Sequence, residues 1–248
     1  MKRPALTLYV YAQDADGFET CAANGVVTIT DYTGSARELL IPAVIDGLPV
    51  TAIGDGVFDN CSSLTAVTIP SSVTAIGWSA FAGCRSLTAV TIPSSVTTIG
   101  DYAFYDCSGL TAITIPSSVT AIEKGLFAGC SGLETVTIPS SVTVIGARAF
   151  YNCSSLTAVT IPSSVTEIGQ GAFAGCFSLV TITIPPSVTA IGYEAFADCF
   201  SLTAVTIPSS VTMIGKGTFK GCNLDDATRS EITRRFGNAP FEDDDGGR

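Results

Sequence analysis

A segment of 23 residues recurs seven times in this chain, and this repeat constrains the fold more than any other feature. The first clear copy, residues 64–86, reads LTAVTIPSSVTAIGWSAFAGCRS, and a looser copy with a five-residue insertion precedes it. A fixed period of this length is typical of solenoids, in which each repeat forms one coil and stacks on the next. The sequence therefore predicts one elongated solenoid over residues 39–222, with about eight coils.

Each copy contains an apolar pattern that predicts two short strands and a turn. In the first clear copy, Val67 and Ile69 alternate with small or polar residues, as in a strand with one buried face. Pro70 ends that strand because it has no N–H group for a neighbouring strand. A second extended stretch is predicted at residues 73–76, and one or two helical turns at residues 79–84. A single coil cannot bury its own apolar face, so the coils must stack.

Phenylalanine and cysteine each recur at one fixed position and predict two columns inside the stack. The phenylalanines are Phe58, Phe81, Phe104, Phe127, Phe150, Phe173, Phe196 and Phe219. The cysteines are Cys61, Cys84, Cys107, Cys130, Cys153, Cys176, Cys199 and Cys222. Cysteines one coil apart, with parallel Cβ directions, are farther apart than the ~3.8 Å between the Cβ atoms of a disulfide. We therefore predict buried free thiols, and the absence of CxxC-type spacing predicts no zinc site.

The pattern LxxVxIPxxVxxIGxxAFxxC resembles the leucine-rich repeat of the Treponema pallidum type, found in BspA-like proteins. It departs from the usual leucine-rich repeat in having proline, as at Pro70, where asparagine or cysteine follows the strand. The resemblance implies a β-rich α/β solenoid, curved as a right-handed superhelix with its parallel sheet on the concave side. Better-known members of that family are surface or secreted proteins that bind host proteins and other cells. The resemblance thus implies an adhesin-like protein-interaction module, extracellular or at the cell surface, with a protein partner.

The residues before the repeats are predicted to form a β cap, residues 1–38. The Asn24-Gly25 dipeptide between apolar runs is a strong hairpin signal, and Asp46-Gly47 is predicted to form the turn of the insertion in the first copy. The strands of the cap are predicted at residues 6–11, 18–22 and 26–30.

The residues after the repeats are predicted to form a capping helix and a tail. Asp225 suits the start of a helix over residues 223–237, and Arg234 and Arg235 suit its end because they complement the helix dipole. The acidic tail, residues 238–248, is predicted to be disordered.

Composition argues against several classes of function. The chain has a net charge of −10 and no basic patch, so nucleic acid is a poor partner. It has no histidine, which removes the Ser-His-Asp and Cys-His arrangements, and its glycines lie at repeat turns rather than in a phosphate loop. No apolar run has the length of a membrane-spanning helix. We therefore expect no enzyme activity, cofactor, metal or membrane insertion.

Candidate partner-binding residues are those that depart from the repeat pattern. The strand face consists of columns of alanine and threonine, and its clearest departures are Glu134 and Val180. Phe177 and Phe200, one coil apart, are predicted to form an exposed apolar patch with Tyr193. The other candidates occupy the positions predicted to be helical or in loops: Trp78, Tyr102 and Arg148.

The sequence leaves alternatives open for the role of two further tyrosines and for the function of the protein. Tyr105 and Tyr151 suit partner binding and packing against the neighbouring coil equally well. The many free thiols and the lack of a recognisable leader favour a cytoplasmic scaffold or a structural subunit of a larger assembly. The threonine columns suggest an ice-binding solenoid as a weaker alternative, and the near-identity of the copies also permits a spacer without a dedicated site.

Overall fold

Three antiparallel strands close the N-terminal end of the stack: β1 (Val10–Gln13), β2 (Phe18–Ala23) and β3 (Val26–Tyr32). A computed structural model gives the backbone of residues 10–13 and the complete structure of residues 17–242. Asn24 and Gly25 both have positive φ angles, as the predicted hairpin turn requires. Of the strand predicted at the start of the chain, residues 6–9 lie outside the described residues.

The first coil carries its five-residue insertion as a small hairpin. Its strands are β4 (Glu38–Leu40), β5 (Val44–Ile45) and β6 (Leu48–Ile53). Strands β5 and β6 pair antiparallel around Asp46 and Gly47, whose φ angles are 51° and 77°. The turn predicted at these two residues is confirmed. Strand β6 also pairs in parallel with β3 and so joins the cap to the stack.

The coils contribute strands to two parallel ladders. The first ladder contains β4, β7 (Ala66–Thr68), β9 (Ala89–Thr91), β11 (Ala112–Thr114), β13 (Thr135–Thr137), β15 (Ala158–Thr160) and β17 (Thr181–Thr183). The second contains β6, β8 (Ala75–Ile76), β10 (Thr98–Ile99), β12 (Ala121–Ile122), β14 (Val144–Ile145), β16 (Glu167–Ile168), β18 (Ala190–Ile191) and β19 (Met213–Ile214). Paired strands align equivalent residues of successive coils, as Val67 with Val90. The predicted parallel solenoid of leucine-rich-repeat type is confirmed.

The phenylalanine column forms the centre of the core, as predicted. All eight rings, from Phe58 to Phe219, are fully buried. Neighbouring rings stack face to face with centroids 4.9 to 5.7 Å apart. Valine and isoleucine side chains from both ladders join the rings in one cluster that runs from the cap to the last coil. Stacking therefore buries what no coil could bury alone.

The third side of each coil is a series of turns, whereas the sequence predicted one or two helical turns there. Within residues 79–84, Ser79 and Gly83 have positive φ angles of 50° and 70°, which a right-handed helix does not allow. Alternate amides bond to the next coil, as that of Phe81 to the carbonyl of Ala103 at 2.8 Å, while those between them bond within the coil, as that of Ala82 to the carbonyl of Ser79 at 3.0 Å. Helical bonds would all remain within one coil, whereas the bonds of the alternate amides tie each coil to the next.

Glu123 interrupts the second ladder, because every other coil has glycine at this position. A Cβ on Gly100 would lie 2.6 Å from the backbone nitrogen of Trp78, and one on Gly146 would lie 2.7 Å from the carbonyl oxygen of Ile122. The Cβ of Glu123 therefore holds its coil away from the preceding coil. As a result, β10 ends one sheet and β12 begins another.

The two coils on either side of this break remain joined on the turn side. There the amide of Phe104 donates to the carbonyl of Leu126 at 3.0 Å. The first ladder is also divided at this step, between β9 and β11, where a depression of about 270 Å³ opens. The rings of Phe104 and Phe127 are 5.7 Å apart, the widest spacing in the column. The stack is therefore splayed on its strand sides and closed on its turn side.

Replacing Glu123 by glycine is expected to close the break. The change removes the Cβ that separates the coils and restores backbone hydrogen bonds that each contribute about 0.5–1.5 kcal/mol. Glycine costs about 0.5–1 kcal/mol in conformational entropy, so we expect a net rise of about 1 kcal/mol in the free energy of unfolding, measured by urea denaturation. The mirror change, Gly146→Glu, is the control and should destabilise the stack by about 2–3 kcal/mol. A stabilising Gly146→Glu would contradict this account.

Seven of the eight periodic cysteines are buried, and all nine cysteines of the chain are free, as predicted. Each buried thiol donates to the carbonyl of the phenylalanine in the preceding coil, as from Cys153 Sγ to the oxygen of Phe127 at 3.2 Å. Burial raises the pKa of Cys130 and of Cys176 to about 12. These two thiols are therefore protonated hydrogen-bond donors within the core.

Alkylation of the folded protein is expected to modify two of its nine cysteines, Cys21 and Cys61, because only these are partly exposed. The other thiols are buried, and the thiolate, which is the reactive form, is further disfavoured where burial raises the pKa, as at Cys130. Iodoacetamide labelling followed by mass spectrometry measures this directly, and labelling in denaturant is the control. Rapid modification of Cys130 in the folded chain would contradict the buried column.

A helix and a short 3-10 helix close the C-terminal end. Helix α1 (Asp226–Phe236) begins after Asp225, whose carboxylate accepts from the amide of Thr228 at 2.7 Å. Arg235 anchors the helix to the last coil by donating to the carbonyl of Ile207 at 2.6 Å.

The tail was predicted to be disordered from residue 238 onward, but its first part is ordered. A 3-10 helix spans Ala239–Phe241, and the amides of Gly217 and Phe219 donate to the carbonyls of Ala239 and Pro240 at 2.9 and 2.8 Å. These residues thus act as the next coil on the turn side, which satisfies amides that would otherwise lack a partner. Residues 243–248 lie outside the described residues.

Candidate functional site

The turn side of the stack has a period of two coils rather than one. One position with positive φ alternates along the stack between asparagine or aspartate and glycine: Asn60, Gly83, Asp106, Gly129, Asn152, Gly175, Asp198 and Gly221. A Cβ on Gly175 would lie 2.1 Å from Oδ1 of Asn152, and one on Gly221 would lie 2.4 Å from Oδ1 of Asp198. Asn60, Asn152 and Asp198 therefore each cover the glycine of the next coil and leave no room for a side chain there. Asp106 pairs with Arg85 instead.

The residue immediately before this position also alternates between large and small over part of the stack, and this alternation produces a groove. Tyr105 and Tyr151 project from coils that are two apart, and the coil between them has Ala128. The rings are 46% and 39% exposed, whereas Ala128 is only 3% exposed and forms the floor. A groove of about 620 Å³ results, within the range typical of ligand sites. We call it the turn-side groove and define it by Asp59, Trp78, Tyr102, Tyr105, Arg148 and Tyr151.

Aromatic contacts order the side chains of the turn-side groove. The rings of Tyr102 and Tyr105 meet edge to face with centroids 6.0 Å apart. Lys124 Nζ lies 5.7 Å from the centre of the Tyr102 ring, and the guanidinium carbon of Arg148 lies 5.8 Å from that of Tyr151. These distances are within the range of cation–π attraction. The groove therefore has ordered rings, which lose little side-chain entropy when a partner binds.

Charges are distributed unevenly along the groove. The exposed carboxylate of Asp59 lies at the end nearer the N-terminal cap, and Arg148 lies at the other end. Between them, Asp106 forms an ion pair with Arg85 at 2.8 Å. The groove is thus acidic at one end and basic at the other.

The structure brings three of the predicted partner-binding residues together in this groove: Trp78, Tyr102 and Arg148. The sequence left Tyr105 and Tyr151 undecided, and both are exposed groove residues. Sequence reasoning did not identify Asp59 or Ala128. Comparing the copies in pairs would have found them, because the alternation of large and small residues is visible only at a two-coil period.

The remaining predicted residues lie elsewhere. Phe177 and Phe200 stack on each other with centroids 5.3 Å apart, and they are 44% and 48% exposed. Tyr193 was expected to join them but makes no ring contact with them, since it lies at the start of the turn segment and Phe200 follows its end. Glu134 and Val180 lie beside the first ladder, on two coils separated by a third.

The described residues contain no cluster of three or more histidine, cysteine, aspartate or glutamate side chains that could hold a metal ion. Within residues 10–13 and 17–242, no helix has both the length and the apolar character needed to cross a membrane.

Comparisons with known proteins agree with the repeat architecture. A family model for the BspA type leucine-rich repeat region matches residues 51–179 and 120–246. The structure is similar to that of a leucine-rich repeat protein from T. pallidum, at 30% identity over 95% of this chain and 96% of that one, with a TM-score of 0.62. It is also similar to a leucine-rich cell surface protein from Faecalibacterium prausnitzii, at 35% identity over 87% of this chain and 75% of that one, with a TM-score of 0.61.

A search of curated proteins gave no significant match. The family match nevertheless extends over most of the chain and coincides with the stacked coils. This chain belongs to the BspA-type leucine-rich repeat family.

Proposed function

We propose that this protein is a non-enzymatic protein-interaction module that binds its partner through the turn-side groove. The observation that carries the proposal is the group of exposed and partly exposed aromatic rings around a recessed floor: Trp78, Tyr102, Tyr105 and Tyr151. Tryptophan, tyrosine and arginine dominate the energetics of protein interfaces, and here they are concentrated on one side of an otherwise monotonous stack. The strand face, by contrast, presents mostly alanine and threonine.

We also propose that the protein acts at the cell surface, as an adhesin-like module. The similarity to the F. prausnitzii cell surface protein, which extends over 75% of that chain, supports this location. The alternative, a cytoplasmic scaffold, draws support from the nine free thiols. Cell fractionation followed by immunoblotting distinguishes the two, and protein found only in the cytoplasm would contradict the surface proposal.

The partner-binding role can be tested by selecting a random-peptide phage library on the intact chain. The selected clones are then tested on a Tyr105→Ser/Tyr151→Ser variant and on a control variant, Phe177→Ser/Phe200→Ser, which alters the other exposed aromatic pair. We expect most clones to lose binding to the first variant and to keep it on the second. No enrichment, or clones that depend on Phe177 and Phe200 instead, would contradict the proposal. Thermal melts establish that both variants fold.

The ice-binding alternative receives little support. It requires a continuous flat array of threonines, and the first ladder is divided between β9 and β11 and again between β13 and β15. A thermal hysteresis assay tests it, and we expect no hysteresis.

A further inference from the structure

Two slots lie in the turn-side groove, one on each side of the Tyr105 ring. The first has Ala82 as its floor and lies between Asp59 and Tyr105, and the second has Ala128 as its floor and lies between Tyr105 and Tyr151. The two alanines are 5% and 3% exposed. Each slot is therefore one coil wide, has a large side chain on either side, and repeats after two coils.

The spacing of the slots matches one type of peptide backbone. Coils that are hydrogen-bonded directly repeat at about 4.8 Å. On the turn side both steps keep such bonds, from the amides of Phe81 and Phe104 at 2.8 and 3.0 Å, so the slots are about 9.6 Å apart there, although the ring centroids in the core are 5.3 and 5.7 Å apart over the same two steps. A polyproline II helix advances about 3.1 Å per residue and presents the same face after three residues, about 9.3 Å. An extended strand returns to the same face after about 6.8 Å, and an α-helix after about 5.4 Å. Only the polyproline II period brings consecutive same-face residues into both slots.

The side chains of the slots suit proline. A pyrrolidine ring is compact and apolar, and aromatic-lined grooves bind proline-rich segments in other recognition modules. Such a segment loses little conformational entropy on binding because it is already in the polyproline II conformation. The edge-to-face contact of Tyr102 with Tyr105 orders the ring that separates the slots, so the groove is ordered as well.

The charges of the groove specify more of the ligand. Asp59 is exposed at one end, whereas Asp106, in the middle, is already paired with Arg85 at 2.8 Å. A basic ligand residue three positions beyond the proline of the first slot would lie about one coil past Asp59, so that a long basic side chain could reach back to this carboxylate. The opposite end has Arg148, which would repel a second basic residue there.

We propose that the turn-side groove binds a proline-rich polyproline II segment with two prolines three residues apart, one in each slot, and a basic residue beside Asp59. This inference rests on the proposed protein-binding function and specifies the ligand of the same groove.

The single tryptophan of the chain, Trp78, lines the groove and provides the readout. Its fluorescence is measured during titration with Arg-Ala-Leu-Pro-Pro-Leu-Pro and with the reversed peptide Pro-Leu-Pro-Pro-Leu-Ala-Arg, because polyproline II segments can bind in either direction. Isothermal calorimetry on the same samples gives the affinity independently of the fluorescence. We expect saturable binding of at least one of the two peptides.

Two changes in the peptide test the two parts of the inference. Replacing both slot prolines by alanine is expected to reduce affinity about tenfold or more, a loss equivalent to about 1.4 kcal/mol. Replacing the arginine by glutamate is expected to reduce it about tenfold at low salt and less at high salt, because the effect is electrostatic.

A matched pair of protein variants locates the binding. Ala128→Leu fills the second slot and should abolish binding, whereas Ala197→Leu, at the same coil position outside the groove, should leave it unchanged. Leucine is tolerated there because the position has tyrosine in two other coils, and thermal melts confirm folding.

The possible outcomes separate this inference from the proposed function. Peptides that bind equally well with and without the prolines would overturn the polyproline II inference and leave the protein-binding proposal intact. A response to a chitin or cellulose oligosaccharide with none to the peptides would overturn both. No response to any of these probes would overturn the inference alone, and the phage selection would then decide the function.

Discussion

Replacing Phe127 by alanine is expected to lower the free energy of unfolding by about 3–5 kcal/mol, the largest effect of any single substitution considered. The ring is fully buried at the middle of the column, with its centroid 5.7 Å from that of Phe104 and 5.5 Å from that of Phe150. Its removal leaves a cavity that faces both neighbouring coils. The backbone cannot collapse freely into this cavity, because the coil is hydrogen-bonded to the following coil on all three sides and to the preceding coil on the turn side. Stability is then lost at two coil–coil interfaces at once.

Urea denaturation monitored by circular dichroism measures this loss. Phe200→Ala is a matched control because Phe200 also stacks on a phenylalanine one coil away, at 5.3 Å, but is 48% exposed. Its cost should be about 0.5–1.5 kcal/mol, the value of an aromatic pair without full burial. Equal losses for the two variants would mean that the buried column does not hold the stack together.

Raising the pH above about 9 is expected to unfold the protein steeply. Six buried thiols in the column have a raised pKa. Burial is the main cause for Cys84, Cys107, Cys130, Cys153 and Cys176, and the pKa of Cys199 is raised first by its hydrogen bond with Cys222 and then by burial. In the unfolded chain a thiol has a pKa of about 8.5. Below a pH of about 8.5 the thiols are neutral in both the folded and the unfolded protein, and they do not change its stability. The folded protein keeps these protons to a higher pH, about 12 for Cys130. Between these two pH values only the unfolded chain releases the protons.

Each proton released only on unfolding lowers stability by about 1.4 kcal/mol per pH unit. Six thiols therefore give a limiting slope of about 8 kcal/mol per pH unit, enough to unfold a typical domain within one to two pH units. Urea denaturation between pH 7 and pH 10 measures the slope. The variant Cys130→Ala/Cys176→Ala is the control and should reduce it by about a third. An unchanged slope would show that other groups cause the alkaline unfolding.

The sequence also contains two departures from the repeat whose structural effects are not evident when single copies are compared with the consensus. Glu123 stands alone among glycines at its position, yet only the distance of 2.6 Å between a Cβ at Gly100 and the nitrogen of Trp78 shows why one side chain opens the second ladder. The alternation of Asn152 with Gly175 is equally visible in the sequence. Its cause, a distance of 2.1 Å between a Cβ on the glycine and the amide oxygen, requires the stacked coordinates.

The repeat by itself determined the solenoid and the phenylalanine and cysteine columns, and two local dipeptides outside the repeat pattern, Asn24-Gly25 and Asp46-Gly47, determined the hairpin turns. The repeat determines the columns because equivalent residues of successive coils pack against one another, so that the sequence of one copy specifies the contacts of all copies. Only the tertiary structure decided the turn geometry, the break at Glu123 and the assembly of Trp78, Tyr105 and Tyr151 into one groove. These features depend on how the side chains of one coil differ from those of the next. The effect of such a difference depends on which side chains contact each other, and only the stacked structure shows these contacts.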